Sequence, residues 1–224
     1  KTGQHLHDLV QASMRKQHSM DCEVGVDLRP LGYPISGHAD GVYVFEGLTI
    51  VAEIKTKKAY PIKLARRQLI PELHEVQQAG MYAMGVGADA IHLIYYAKDN
   101  AGTARKPTDF VEAGETVEWL LFMDEPVPGD GRTVEQVASA EATRITAIAG
   151  QVEDGMIPER FVPGYGTVPV LPDPGSMDAP WRCRYCDYWG LCETLPAGQV
   201  AAADVLIPIR KDADVGSVET IETV

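Results

Sequence analysis

Residues 42–55 constrain the fold more tightly than any other stretch of the chain. Val42 to Phe45 and Leu48 to Lys55 are built largely from β-branched and aromatic residues and flank Glu46-Gly47, the composition of a hairpin. Side chains two apart on a strand share a face. Ile50, Ala52 and Ile54 therefore line one side and can enter a core, while Glu53 and Lys55 project together from the other.

The rest of the chain supplies helices and further strands. Leu6, Leu9, Val10 and Met14 recur at helical spacing between Gly3 and Met20. Cys22 to Leu28 alternates as a strand, and Pro30 to Pro34 turns the chain. Pro71 opens a second helix that runs to about Gly85, in keeping with the preference of proline for a first helical turn. Strands are predicted at Ile91–Tyr96 and Val117–Met123, then an Ala-rich helix from about Thr133 to Glu153. The order implies an α/β protein with a mixed central sheet flanked by helices, its core spanning residues 1–154. Residues 155–195 form a Pro-rich element ending in a knot of cysteines and aromatics, expected to pack on the core. Residues 196–224 read as an exposed tail.

Length allows one domain with an appended element. No uninterrupted apolar run approaches the length of a bilayer span, and no basic-then-apolar leader opens the chain. The expectation is a cytoplasmic protein that does not meet membranes. Net charge is −12, which opposes phosphate binding over the surface as a whole. The excess is local, however: residues 1–99 carry 11 basic and 11 acidic side chains, and residues 100–224 carry 9 and 21. Lys55, Lys57, Lys58, Lys63, Arg66 and Arg67 fall together with no intervening acid. This strip is either a positive surface for phosphate or a solvated lysine-rich loop.

Chemistry concentrates at Gly37-His38-Ala39-Asp40-Gly41, followed thirteen residues after Asp40 by Glu53-Ile54-Lys55. Asp40 is expected where one hairpin strand begins, from which the return strand brings Glu53 beside it. Two carboxylates and a backbone carbonyl, that of Ile54, make the hard, oxygen-rich site that Mg²⁺ or Mn²⁺ prefers. An ammonium beside such a site can position water or neutralise developing charge. An acid-x-Lys pair is also common as a surface ion pair, so the neighbours matter. His74, Gln78 and Tyr82 step by four and share one helix face, where an amide and a phenol could contact phosphate or order the lysine.

The ordered set Asp40, Glu53-x-Lys55 and Gln78-x-x-x-Tyr82 resembles the RecB-like branch of the PD-(D/E)xK nucleases. That branch places a helical histidine in a Gly-x-x-x-His pattern before the acids, which Gly3-Gln4-His5-Leu6-His7 matches. The resemblance spans about residues 3–100 and implies a restriction-endonuclease-like core. It makes His7 a metal ligand with Asp40 and Glu53, Lys55 the catalytic lysine, and Gln78 and Tyr82 positioning groups. His5 is the second candidate in that pattern, with a solvent-facing helix position as its other role. His38 is read as structural, on the opposite strand face. The resemblance further implies a metal-dependent exonuclease acting on single strands or DNA ends. Lys57, Lys58, Arg66 and Arg67 are its candidate phosphate contacts, and Tyr60 is either a stacking platform for bases or a core residue.

Cys183-x-x-Cys186 and Cys192 sit among Trp181, Tyr185, Tyr188 and Trp189. Thiolates so closely spaced can grip one soft metal centre, and a disulfide is the competing account. The triplet is similar to the [4Fe–4S] motif of the CRISPR-associated exonucleases and of AddB-type nuclease domains. Their fourth cysteine lies upstream of the helical histidine, whereas this chain begins only six residues before His7. The alternatives are a ligand lost upstream, which is the expectation, replacement by Cys22, or a site holding zinc or no metal. Cys22 also fits as an ordinary buried strand residue. The contrasting functional class is a DNA-binding or assembly protein that keeps a nuclease fold without catalysis, and a redox sensor built on the cysteines is a third. Protein partners in recombination, repair or CRISPR adaptation are compatible with each DNA-directed reading.

Overall fold

A computed structural model describes residues 2–100 and 110–154, together with the two-residue strands at 156–157, 161–162, 166–167 and 200–201. The N-terminal helix α1 is Thr2–His18. Strands β1 (Asp21–Asp27), β2 (Ser36–Phe45) and β3 (Leu48–Lys57) follow, with one 3-10 turn at Arg29–Leu31. Helices α2 (Ala59–Gln68) and α3 (Leu73–Val86) lead to β4 (Ala90–Ala97), β5 (Thr116–Phe122) and α4 (Val134–Glu153).

The five strands form one sheet in sequence order. β1–β2, β2–β3 and β4–β5 pair antiparallel, and β3–β4 pair parallel, so the mixed sheet expected from the sequence is present. A parallel neighbour needs a crossover, and α2–α3 provides it. One face of the sheet packs Val51, Leu93, Tyr95 and Trp119 against Ile62 of α2, Val76 and Ala79 of α3, and Val134 and Ala138 of α4. The other packs Ile50, Ala52, Ile54 and Ile94 against Met14 of α1. The alternation read from β3 is therefore realised, each face meeting its own helices.

The sheet has one phase change, and it falls at the motif. Ala39 and Tyr43 are four apart and would share a face of a regular strand. Ala39 instead belongs to the cluster under α3, and Tyr43 to the cluster under α1. Across from this point β1 pairs through Cys22↔Gly41 and Val24↔Ala39, and Glu23 between them takes a left-handed backbone at φ 53°. Both strands turn over together here. Gly41 suits the result, because a Cβ there would run into the side chain of Met20, which is fully buried and would have to shift.

Two expectations are corrected. β2 starts at Ser36 rather than near Val42, so Asp40 lies mid-strand; pairing with β1 recruits the glycine-rich lead-in to the strand. Residues 59–68, expected only as a basic strip, form α2. Its buried side is Ala59, Ile62 and Ala65, too small an apolar stripe to stand out among lysines and arginines.

The chain divides into two compact units, Lys1–Thr146 and Ala147–Val224. In the second, Met156–Ile157 pairs antiparallel with Val200–Ala201, and Phe161–Val162 with Gly166–Thr167. Cys183, Cys186 and Cys192 lie outside the described residues, as does most of the span from 155 to 224. No helix among the described residues is long and apolar enough to cross a membrane.

Candidate active site

The β2–β3 ladder runs to Gly41↔Ala52. Just past it, the Asp40 carboxylate takes the place of a backbone acceptor: the Ile54 N–H donates to its Oδ2 at 2.7 Å. Its other oxygen, Oδ1, is 3.1 Å from His7 Nε2, delivered by α1. One carboxylate thus joins the strand that carries Glu53 to the helix that carries His7.

Glu53 is only 2% exposed, yet it is a carboxylate. Its Oε1 meets Lys55 Nζ at 2.5 Å, as expected for side chains two apart on one face. Burial, and secondarily the charges of Asp40 and Glu75, push its carboxyl up to about 7, against the opposing pull of Lys55. For Lys55 burial pulls the other way, but the charge and hydrogen bond of Glu53 hold its ammonium above the ordinary range. Lys55 Nζ also donates to Gln78 Oε1 at 3.0 Å, and Gln78 Nε2 donates to Tyr82 Oη at 3.2 Å. The Tyr82 ring lies against Gly37, where a Cβ would be 3.0 Å from its Cε1. Gly37 and Gly41, on either side of Asp40, are therefore both places where another side chain approaches the backbone.

The donor types of His7, Asp40 and Glu53 suit a hard divalent cation. Glu53 Oε2, His7 Nδ1 and Glu75 Oε2 are buried without a hydrogen-bond partner among the described residues, a condition that costs ~1–3 kcal/mol per group or more for a charge. A buried carboxylate with a second acid nearby is relieved by a positive ion beside it. The side chains of His7 and Asp40 keep 15% and 20% exposure, so the group is open to solvent. Among the described residues the donors grouped closely enough to share an ion, all within 4.8 Å of one another, are Glu72, His74 and Glu75 at the start of α3. The Lys57 ammonium is already bound to both of those carboxylates, at 2.7 and 2.8 Å, and occupies the position a cation would take.

The structure thus brings together His7, Asp40, Glu53, Ile54, Lys55, Gln78 and Tyr82. It separates the basic strip. Lys57 turns inward to Glu72 and Glu75 and lies 4.3 Å from the Tyr95 ring centroid, so it presents little charge to a ligand. Arg66 pairs with Glu115 and donates to the Phe110 carbonyl. Lys58 and Arg67 are exposed, as is Tyr60, which belongs to the surface and not to the core. His5 and His38 are exposed. Cys22 is half-buried beside the α1-side cluster, with its thiol 3.9 Å from the Met20 carbonyl. Sequence reasoning missed Gln11 and Glu75, both buried polar residues in contact with this region. Gln11 had one available signal, since it follows His7 by four positions and shares its helix face.

A mixed sheet with helices on both faces defines an α/β protein, and two acids, a lysine and a histidine gather at the end of one of its ladders. Comparison with known families makes this specific: residues 3–193 match the PD-(D/E)XK nuclease superfamily, and the chain belongs to it. Among solved structures it is similar to SSO0001, at 16% identity and TM-score 0.45 over 84% of this chain and 68% of that one. It is also similar to an alkaline exonuclease (LHK-Exo) from Laribacter hongkongensis, at 14% identity and TM-score 0.43 over 68% and 71%. The same enzyme in complex with dAMP gives 15% identity and TM-score 0.40 over 67% and 73%. These likenesses are too distant to carry roles to individual residues. No curated protein sequence matches the chain.

Proposed function

We propose that this chain is a divalent-metal-dependent deoxyribonuclease of the RecB-like branch, an exonuclease that hydrolyses phosphodiester bonds at DNA ends or in single strands. The observation that carries the reading is the pair of contact chains His7–Asp40 and Glu53–Lys55–Gln78–Tyr82, brought side by side where the Ile54 N–H meets Asp40, with buried donor atoms on Glu53 and His7 that have no partner among the described residues.

His7, Asp40, Glu53 and the Ile54 carbonyl would hold Mg²⁺ or Mn²⁺. When bound, such an ion supplies Lewis acidity toward the phosphodiester and lowers the pKa of water. Glu53 must shed its proton to serve as a ligand, which its value of about 7 permits near neutral pH. Lys55 stays charged, fixed by Glu53 and Gln78, and so faces developing negative charge on the phosphate without reorganising. Tyr82, buttressed by Gly37, orients Gln78 and through it the ammonium. Lys58 and Arg67 are the phosphate contacts that remain from the basic strip. Cys183, Cys186 and Cys192 would ligate an iron–sulfur cluster like that of the CRISPR-associated and AddB-type nucleases, with a structural and not a hydrolytic role.

The test is release of labelled nucleotides from end-labelled single- and double-stranded DNA with Mg²⁺, with Mn²⁺ and with chelator. Metal-dependent release of mononucleotides supports the reading. Tight DNA binding with no cleavage under any metal would favour a non-catalytic DNA-binding protein.

A further inference from the structure

We propose that Gln11 is a positioning residue that sets the distance between His7 and Asp40. This rests on the nuclease reading above and adds a residue to it. Gln11 is 8% exposed, and its amide nitrogen makes two hydrogen bonds to β1 and β2. It donates to the Asp40 backbone carbonyl at 2.9 Å and to Glu23 Oε1 at 2.8 Å. Those residues lie where β1 and β2 change faces. A strand that turns over interrupts its own ladder, and a buried carbonyl left there needs a donor from elsewhere.

Gln11 supplies that donor from α1, one turn beyond His7. The same helix therefore touches Asp40 twice, through His7 at the carboxylate and through Gln11 at the main chain. Two contacts one turn apart fix both the height and the rotation of the helix over the strand, which a single contact cannot do. A core residue would need neither amide hydrogen. The Glu23 carboxylate, held by a backbone at φ 53°, anchors the second hydrogen and keeps the amide from rotating away.

The experiment uses the full chain and two readouts, Mn²⁺ affinity by calorimetry without DNA and the Mn²⁺ dependence of cleavage. Gln11→Met keeps length and burial but donates nothing. It is expected to raise the Kd for Mn²⁺ about tenfold while the maximal rate at saturating Mn²⁺ changes less than about threefold. Glu23→Gln retains an acceptor and is expected to bind Mn²⁺ as the wild type does. Glu23→Gly removes the anchor but suits the left-handed backbone, so its affinity should fall about threefold with a melting temperature equal to or above wild type. A purely structural role would move stability and affinity together. Wild-type Mn²⁺ affinity in Gln11→Met overturns the proposal, as does wild-type affinity in Glu23→Gly should Gln11→Met not fold. Asp40→Ala and His7→Ala separate the two failures. If they too bind Mn²⁺ normally, the metal-site reading is what falls.

Discussion

Replacing Glu53 by Gln should stabilise the metal-free protein at alkaline pH while abolishing the proposed metal binding. Burial raises the Glu53 carboxyl from its ordinary 4.5 to about 7, and a displacement of one pH unit corresponds to about 1.4 kcal/mol. Because the folded-state value exceeds the unfolded one, the carboxyl favours folding most below pH ~4.5. That contribution is lost as pH rises through about 7, where the fold must hold a charged Glu53. The full penalty is on the order of 3 kcal/mol, an upper bound because relaxation and water entry reduce such costs. Glutamine mimics the protonated acid at every pH. Urea unfolding in chelator, followed by tryptophan fluorescence, should show Glu53→Gln more stable than wild type by ~1–3 kcal/mol at about pH 8 and nearly equal at about pH 5. Mn²⁺ should stabilise the wild type and leave the variant unmoved. Equal stabilities at the alkaline end, or a gap that ignores pH, would refute the claim that Glu53 is held in the fold at an electrostatic cost.

Lys55→Ala should reduce cleavage by at least about a hundredfold with Mn²⁺ affinity kept within a few-fold, as calorimetry and single-turnover rates would show; near wild-type cleavage contradicts its role. Lys58→Ala with Arg67→Ala should weaken single-stranded DNA binding and flatten its log–log salt dependence by about 0.7 for each phosphate no longer neutralised, which titrations at several salt concentrations can measure. Gly41→Ala should cost ~1–3 kcal/mol by driving a Cβ into Met20, and the cost should fall short of additivity in a Gly41→Ala/Met20→Ala double variant. Protein purified without oxygen should contain iron and inorganic sulfide and lose both on Cys186→Ala; one equivalent of zinc and no iron would replace the cluster by a zinc site.

Strand period carried most of what could be read in advance. Glu53 and Lys55 two apart and Gln78 and Tyr82 four apart met where their spacing placed them, whereas His7, which lies beside Asp40, was singled out only by the resemblance to the RecB-like pattern. What escaped notice has local causes. The mid-strand position of Asp40 depends on β1 pairing with a glycine-rich segment, a long-range event that composition conceals. The change of face at Glu23 needs a left-handed non-glycine residue, for which sequence offers no warning. Lys57 looked like Lys58, but strand geometry sends one inward to Glu72 and Glu75 and leaves the other on the surface. The basic strip was therefore visible as charge and illegible as direction.

Helix α1 is the only described helix whose residues enter the cluster on its side of the sheet, and it carries His7. Such an element can open as a unit at lower cost than the sheet it covers. Each opening would carry His7, the proposed nitrogen ligand, away from Asp40. Ion binding and helix docking are then a single equilibrium seen from two ends. An ion that binds only the closed form would tighten α1 by the amount that binding itself releases. The amide protons of this helix, rather than those of the catalytic strand, would carry the imprint of metal occupancy.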